Sequence, residues 1–191
     1  MARFAFALLL APLLSAAVPA QVATERYVRD VAHSQINFVA DARLISAHGT
    51  FNTWDAEILF NPANLEATSL KITIETASID TRVERRDNHL RSNDFFAADS
   101  FPQITFVSTF VNSAEGNRML ITGDLTLRGR TKRITIPARL HFYDEERHVG
   151  RVSGNFVIDR TEFGVSYNSA LNPIEHEVAV QFDVAFNKPR A

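Results

Sequence analysis

The stretch Glu177-Val178-Ala179-Val180-Gln181-Phe182-Asp183-Val184-Ala185-Phe186 decides the fold. Large apolar side chains recur at 178, 180, 182, 184 and 186, with Gln181 and Asp183 between them. A period of two is that of a strand with one buried face; a helix needs a period near 3.6. No Gly or Pro interrupts the run, so this is a long strand with a greasy side and a wet one.

The same alternation recurs along the chain. Ile36, Phe38, Ala40 and Ala42 form one row, and Ala56, Ile58 and Phe60 the next. Leu70, Ile72 and Ile74 follow, then Ile104, Phe106 and Phe110. Ile121, Leu125 and Leu127 make a row, as do Ile134, Ile136, Ala138, Leu140 and Phe142. Phe156 and Ile158 give a shorter one. That makes eight main strands, with Tyr27 to Arg29 as a short lead-in. Breaks at Asn61-Pro62, Glu115-Gly116, Arg128-Gly129 and Asp144 to Gly150 separate rows, and those at Gly116 and Gly129 suit tight antiparallel hairpins.

One segment reads as helix, from about Arg82 to Arg91. Thr81 and Glu84 have capping-box spacing, Val83 and Leu90 share a face, and Asp87 precedes Arg91 by four. Asp80, Asp87, Asp94, Arg86 and Arg91 are expected to form an ion-pair and capping network there, with Phe95, Phe96 and Phe101 joining the helix to the core. Asp159 to Glu175 is long for a structureless connection, so it is either ordered locally or functional.

Eight antiparallel strands with one apolar face close into a sandwich or a barrel, and the meander order with one helical connection favours an all-β, eight-stranded antiparallel barrel. Such a barrel is filled by its own side chains or holds one small or slender ligand. Ala40, Ala42, Ala56, Gly123 and Ala138 on inward rows either leave a cavity or fit the taper of a packed barrel.

Met1 to Ala20 reads as a Sec-type secretory signal: Arg3, an apolar run from Phe4 to Leu14, then Val18-Pro19-Ala20, with cleavage after Ala20. The remainder, 21–191, is expected to be one domain in the periplasm or secreted. The 191 residues contain no Cys, which excludes disulfides, thiolate metal sites and a cysteine nucleophile. A net charge of -2 argues against a nucleic-acid partner. Fifteen Phe against three Tyr and one Trp suit a hydrocarbon interior better than a stacking surface.

No nucleophile elbow, phosphate loop or dinucleotide glycine pattern is present, and His176-Glu177 lacks the second His of a zinc motif because position 180 is Val180. The six His are scattered, so no metal and no cofactor is expected; His33 and His89 are expected to be hydrogen-bonded near turns. Arg128, Arg130, Lys132 and Arg133 at a hairpin tip read as a solvated turn, or as a transient contact with anionic lipid head groups at a membrane surface.

Particular blocks resemble a known family. These are His33-Ser34-Gln35-Ile36-Asn37-Phe38 after Tyr27-Val28-Arg29-Asp30, then Gly49-Thr50-Phe51. Ser78-Ile79-Asp80-Thr81 leads into Arg86-Asp87-Asn88-His89-Leu90-Arg91-Ser92, followed by Asp94-Phe95-Phe96 and Phe101-Pro102-Gln103-Ile104-Thr105-Phe106. Gly123-Asp124-Leu125-Thr126-Leu127-Arg128-Gly129-Arg130-Thr131-Lys132 completes the set. From about Tyr27 to Phe186 the chain resembles the YceI-like, polyisoprenoid-binding periplasmic proteins. It departs from them at Ala40-Asp41-Ala42-Arg43, where relatives often carry a His.

The resemblance implies a lipocalin-like barrel with a helical insertion and an elongated apolar pocket for an isoprenoid chain, such as a prenyl quinone or polyprenyl lipid, or for a fatty-acid-like molecule. It implies no catalytic residues. The lining would be Phe38, Ala40, Ile58, Phe60, Ile72, Ile74, Ile104, Phe106, Ile121, Leu125, Ile136, Leu140, Phe156, Val180 and Phe182, with Leu90, Phe95 and Phe96 at the mouth. Transport, storage and sequestration are all open, as is the choice between monomer and homodimer. The competing reading is a filled barrel that works through its outer face as a stress-response or interaction module.

Overall fold

The computed structural model describes residues 24–189; the expected leader lies outside them. Every strand joins one antiparallel sheet that closes on itself. The first hairpin has two interrupted arms. β1 (Glu25–Arg29) and β2 (Gln35–Ala42) run in succession along the last strand, separated by a 3-10 turn, Val31–His33, whose Ala32 N–H is capped by the Asp30 carboxylate at 3.0 Å. β3 (Ser46–Phe51) and β4 (Trp54–Phe60) return beside them, β3 against β2 and β4 against β1.

From there the chain is a meander: β5 (Ser69–Glu75), β7 (Gln103–Ser113), β8 (Arg118–Leu127), β9 (Arg130–Asp144), β10 (Val149–Asp159) and β11 (Ile174–Asn187). β11 pairs with β10 on one side and with β1 and β2 on the other, which shuts the barrel. Taking each interrupted arm as one strand, the wall has the eight strands that the alternation implies. The β8–β9 turn has Arg128 at φ 49° and Gly129 at φ 70°, the left-handed pair that matches strand twist in a two-residue hairpin.

The wall splits beyond Trp54. β3 pairs with the short β6 (Ile79–Asp80), whereas β4 pairs with β5. The segment between β5 and β7 fills this split and carries α1 (Glu84–Arg91). Thr76, fully buried, fastens it: its N–H donates to Pro102 O at 2.9 Å and its hydroxyl to Phe101 O at 2.8 Å.

Four expectations are corrected. The helix starts at Glu84, two residues late, because Arg82 takes φ 63°, which no helix tolerates. The capping box does not form: Val83 is the N-cap without a side-chain bond and is largely exposed, while Thr81 donates from N–H and hydroxyl to Asp87 Oδ1. Phe110 points outward, 54% exposed, since Thr109 is the extra residue of a β-bulge and Val111 takes the inward place. Phe142 is outward by the same cause at His141, and Tyr143 turns inward.

Candidate functional site

The inward rows surround a cavity of about 500 Å³. That is roughly three times the ~150 Å³ apolar cavity known to admit one benzene ring, so it holds on the order of twenty carbon atoms. All fifteen residues expected in the lining border it, from Phe38 to Phe182, and Leu90, Phe95 and Phe96 border it too. Among the small residues, Ala40, Ala42 and Ala47 border the cavity; Ala56 and Ala138 are buried in the packed wall.

Two features keep the lumen hollow. First, several phenylalanine rings lie flat on the wall over glycines of the adjacent strand. The ring of Phe38 covers Gly49, its in-register partner, and that of Phe182 covers Gly154. A Cβ at Gly49 would come within 2.3 Å of Phe38 Cζ, so the ring uses space that any other residue would occupy. Second, one end is plugged. Tyr27 is fully buried and packs edge-on against Phe60 and Phe186, with ring centroids 5.7 and 5.6 Å away. Its hydroxyl shares a 2.6 Å hydrogen bond with Tyr143. Burial, then that bond, pushes the Tyr27 phenol far above its ordinary pKa, so the plug stays neutral.

Trp54, the sole tryptophan, is buried in the wall and borders the cavity. The Arg29 guanidinium lies 4.0 Å from the centre of its indole ring and donates to Trp54 O.

The opposite end is open, and the polar lining groups gather there. Arg86 and His89 come from α1, Arg160 from the start of the connection after β10, and Ser169 and Asn172 from its later part. No carboxylate borders the cavity among the described residues. His89 Nε2 donates to Asp94 Oδ2 at 2.9 Å, and the ring stacks edge-on against Phe95 and Tyr167. This cluster ties helix, following loop and the far connection together.

Arg160 orders that connection. Its Nε donates to Glu175 O at 2.8 Å, Nη1 to Val165 O at 2.6 Å and Tyr167 O at 3.0 Å, and Nη2 to Ile174 O at 2.9 Å. Desolvation lowers its pKa, and the nearby Asp159 opposes that shift; a guanidinium remains charged regardless. The stretch from Asp159 to Glu175 is therefore locally ordered, starting with a 3-10 turn, Arg160–Phe163.

The acidic and basic groups around α1 form a hydrogen-bonded support rather than the ion pairs expected. Arg86 donates from Nε to the Thr81 hydroxyl at 2.7 Å and from Nη2 to Thr81 O at 2.8 Å. Arg91 donates to Ala77 O and Ile79 O, both at 2.8 Å. Asp80 accepts from Arg82 N–H at 2.7 Å. Arg86 borders the cavity, and among the described residues only its Nε and Nη2 are engaged in hydrogen bonds, both to Thr81.

Phe101 does not reach the cavity and instead lies under Gly129. The hairpin cations are mostly occupied: Arg128 donates to Gly164 O and Asn93 O, Arg133 pairs with Asp124 and Lys132 with Glu162. His33 bonds Asp30 at 2.9 Å beside its turn. No cluster of three or more His, Asp or Glu is placed to hold a metal among the described residues.

Arg160, Trp54, Ile45, Ser169, Asn172 and Ile174 border the cavity without having been expected in the lining. Arg160 stands in the connection expected to be ordered or functional, but nothing in its surroundings marks it as a lining residue, and Ile45 and Asn172 lie in turns where alternation is silent.

Comparison with known proteins agrees with this geometry. A family model described as the YceI-like domain matches residues 27–186. A UPF0312 protein of Vibrio cholerae is 35% identical over 161 residues, covering 81% of this chain and 85% of its own. Protein YceI of Escherichia coli O157:H7 is 36% identical over 145 residues, covering 75% of each. The crystal structure of BcnA from Burkholderia cenocepacia superposes with TM-score 0.76 at 27% identity, over 82% of this chain and 98% of that one. A polyisoprenoid binding domain from Saccharophagus degradans shares the fold, with TM-score 0.67 at 18% identity over 85% and 98% of the two chains.

Proposed function

This chain belongs to the YceI-like family, and we propose that it binds the hydrocarbon tail of an isoprenoid lipid, a prenyl quinone or polyprenyl compound, in its lumen. The observation that carries this is the cavity of about 500 Å³, hydrocarbon-walled, plugged by Tyr27 at one end and polar only at its mouth. The shared fold of a polyisoprenoid binding domain supports it. The chain would act as a carrier, store or scavenger without chemistry of its own. The residue pattern of Met1 to Ala20 supports export to the periplasm or medium. A filled barrel working only through its outer face is the poorer account, because a packed lumen would have no such void.

The energetics favour a selective but exchangeable complex. Burying about twenty carbons is worth roughly 16 kcal/mol at about 0.8 kcal/mol per methylene. Association and tail ordering consume much of that. Relative to a membrane the hydrocarbon term nearly cancels, because the tail is already out of water. Selection then falls to tail length and to the head group. At the mouth the free donors of Arg86 suit an acceptor-rich or anionic head, such as a quinone carbonyl or a phosphate.

Trp54 reports on occupancy. Titration with a short-tailed prenyl quinone should quench its fluorescence saturably at one equivalent. A linear, non-saturating response would overturn the reading.

A further inference from the structure

We infer that the mouth of the barrel docks on a lipid bilayer and exchanges its ligand there, with Leu44, Ile45 and Leu171 as the inserting side chains. This rests on the lipid-binding reading above. Leu171 and Leu44 are the most exposed large hydrophobic side chains among the described residues, at 84% and 74%, and Ile45 is 52% exposed. They come from two separate turns that the fold fastens together. Arg43 N–H donates to Pro173 O at 3.0 Å, and Leu44 N–H to Asn172 Oδ1 at 2.9 Å. Three exposed aliphatic side chains thus share one rim.

That rim is continuous with the lumen. Ile45 and Asn172 both border the cavity, so apolar surface runs from the turn tips into the pocket. The far end is sealed by Tyr27, Phe60 and Phe186, which leaves this mouth as the way in. A tail that crossed water would expose every methylene, at a cost that grows with its length. Seating the rim in the bilayer removes that step. Aliphatic tips that project from turns fit a deformable hydrocarbon layer, which needs no matching concavity.

Sedimentation of the purified chain with phosphatidylcholine vesicles, alone and with added phosphatidylglycerol, tests the docking directly. The chain should co-sediment with both. The double variant Leu44→Gln, Leu171→Gln should partition about tenfold less, while Phe110→Gln, changed on the outer wall, should behave as the parent. Equal partition of parent and double variant, or no partition by the parent, would overturn the inference. So would a dimer of the parent that the double variant abolishes, since the patch would then join two copies. A second readout separates the two proposals: uptake of a fluorescent prenyl alcohol diluted from ethanol. The double variant should take it up with unchanged affinity yet draw it from vesicles about tenfold more slowly. If neither protein takes up the alcohol, the pocket reading fails, and vesicle sedimentation still decides the docking.

Discussion

The ring of Phe38 lies where a side chain at Gly49, its partner across β2 and β3, would stand. A Cβ there would meet Phe38 Cζ at 2.3 Å and Thr81 Cγ2 at 2.9 Å. The flattened ring is one reason the lumen has room. Gly49→Ala should lift the ring off the wall into the cavity, at a cost of about 1–3 kcal/mol, and should weaken the longest prenyl tails more than short ones. Adding Phe38→Leu should restore stability. Denaturant unfolding and a tail-length series by Trp54 quenching read both effects; an unchanged length preference would show that this pair does not shape the pocket.

Arg160 satisfies four backbone carbonyls of the stretch that frames the mouth. Arg160→Met should cost roughly 3 kcal/mol or more, because buried acceptors lose charged donors. Arg160→Lys should rescue little, since an ammonium lacks the planar fork. Amide hydrogen exchange should show lost protection confined at first to residues 164–174. Uniform loss across the barrel would contradict a local role.

Arg86 supports α1 through Thr81 with two nitrogens and leaves Nη1 for a ligand. Arg86→Gln should lower affinity for a prenyl phosphate about tenfold relative to the matching prenyl alcohol. An equal loss for both compounds would assign Arg86 a purely structural part.

Acid should weaken the fold in a defined direction. The Arg151 guanidinium, donating to both Asp183 oxygens at 2.8 and 2.5 Å, holds that carboxyl below its ordinary pKa. Hydrogen bonds to Arg133 and Thr161 do the same for Asp124 and Asp159. A carboxylate with a depressed folded pKa contributes fully above its unfolded value, about 3.9 for Asp, and loses that contribution as pH falls through the folded value. Stability should therefore be level from neutrality down to about pH 5, then fall. Arg151→Gln should make the fall shallower. A stability that rises below pH 4 would contradict the assignment.

The barrel was legible because most inward rows alternate strictly, as β11 does from Val178 to Phe186. Alternation failed where glycine holds an inward place. β3 was unread because Gly49 breaks its row, and β10 was read only from Phe156 because Gly150 and Gly154 stand inward before it. In both, the missing side chain is supplied by a phenylalanine from the neighbouring strand. Bulges at Thr109 and His141 inverted Phe110 and Phe142, since an extra unpaired residue leaves no mark in hydropathy. Lining positions within regular strands were thus readable. Arg160 was not, because backbone carbonyls converging from a distant connection have no sequence signature.

Mass spectrometry under non-denaturing conditions, on protein purified from its own cells without detergent, tests the central claim most directly. The account predicts a population heavier than the chain by one lipid whose fragments carry isoprene repeats, and that Gly49→Ala shifts it to shorter tails. A chain that is always empty, and that stays empty when offered prenyl lipids in excess, would contradict it.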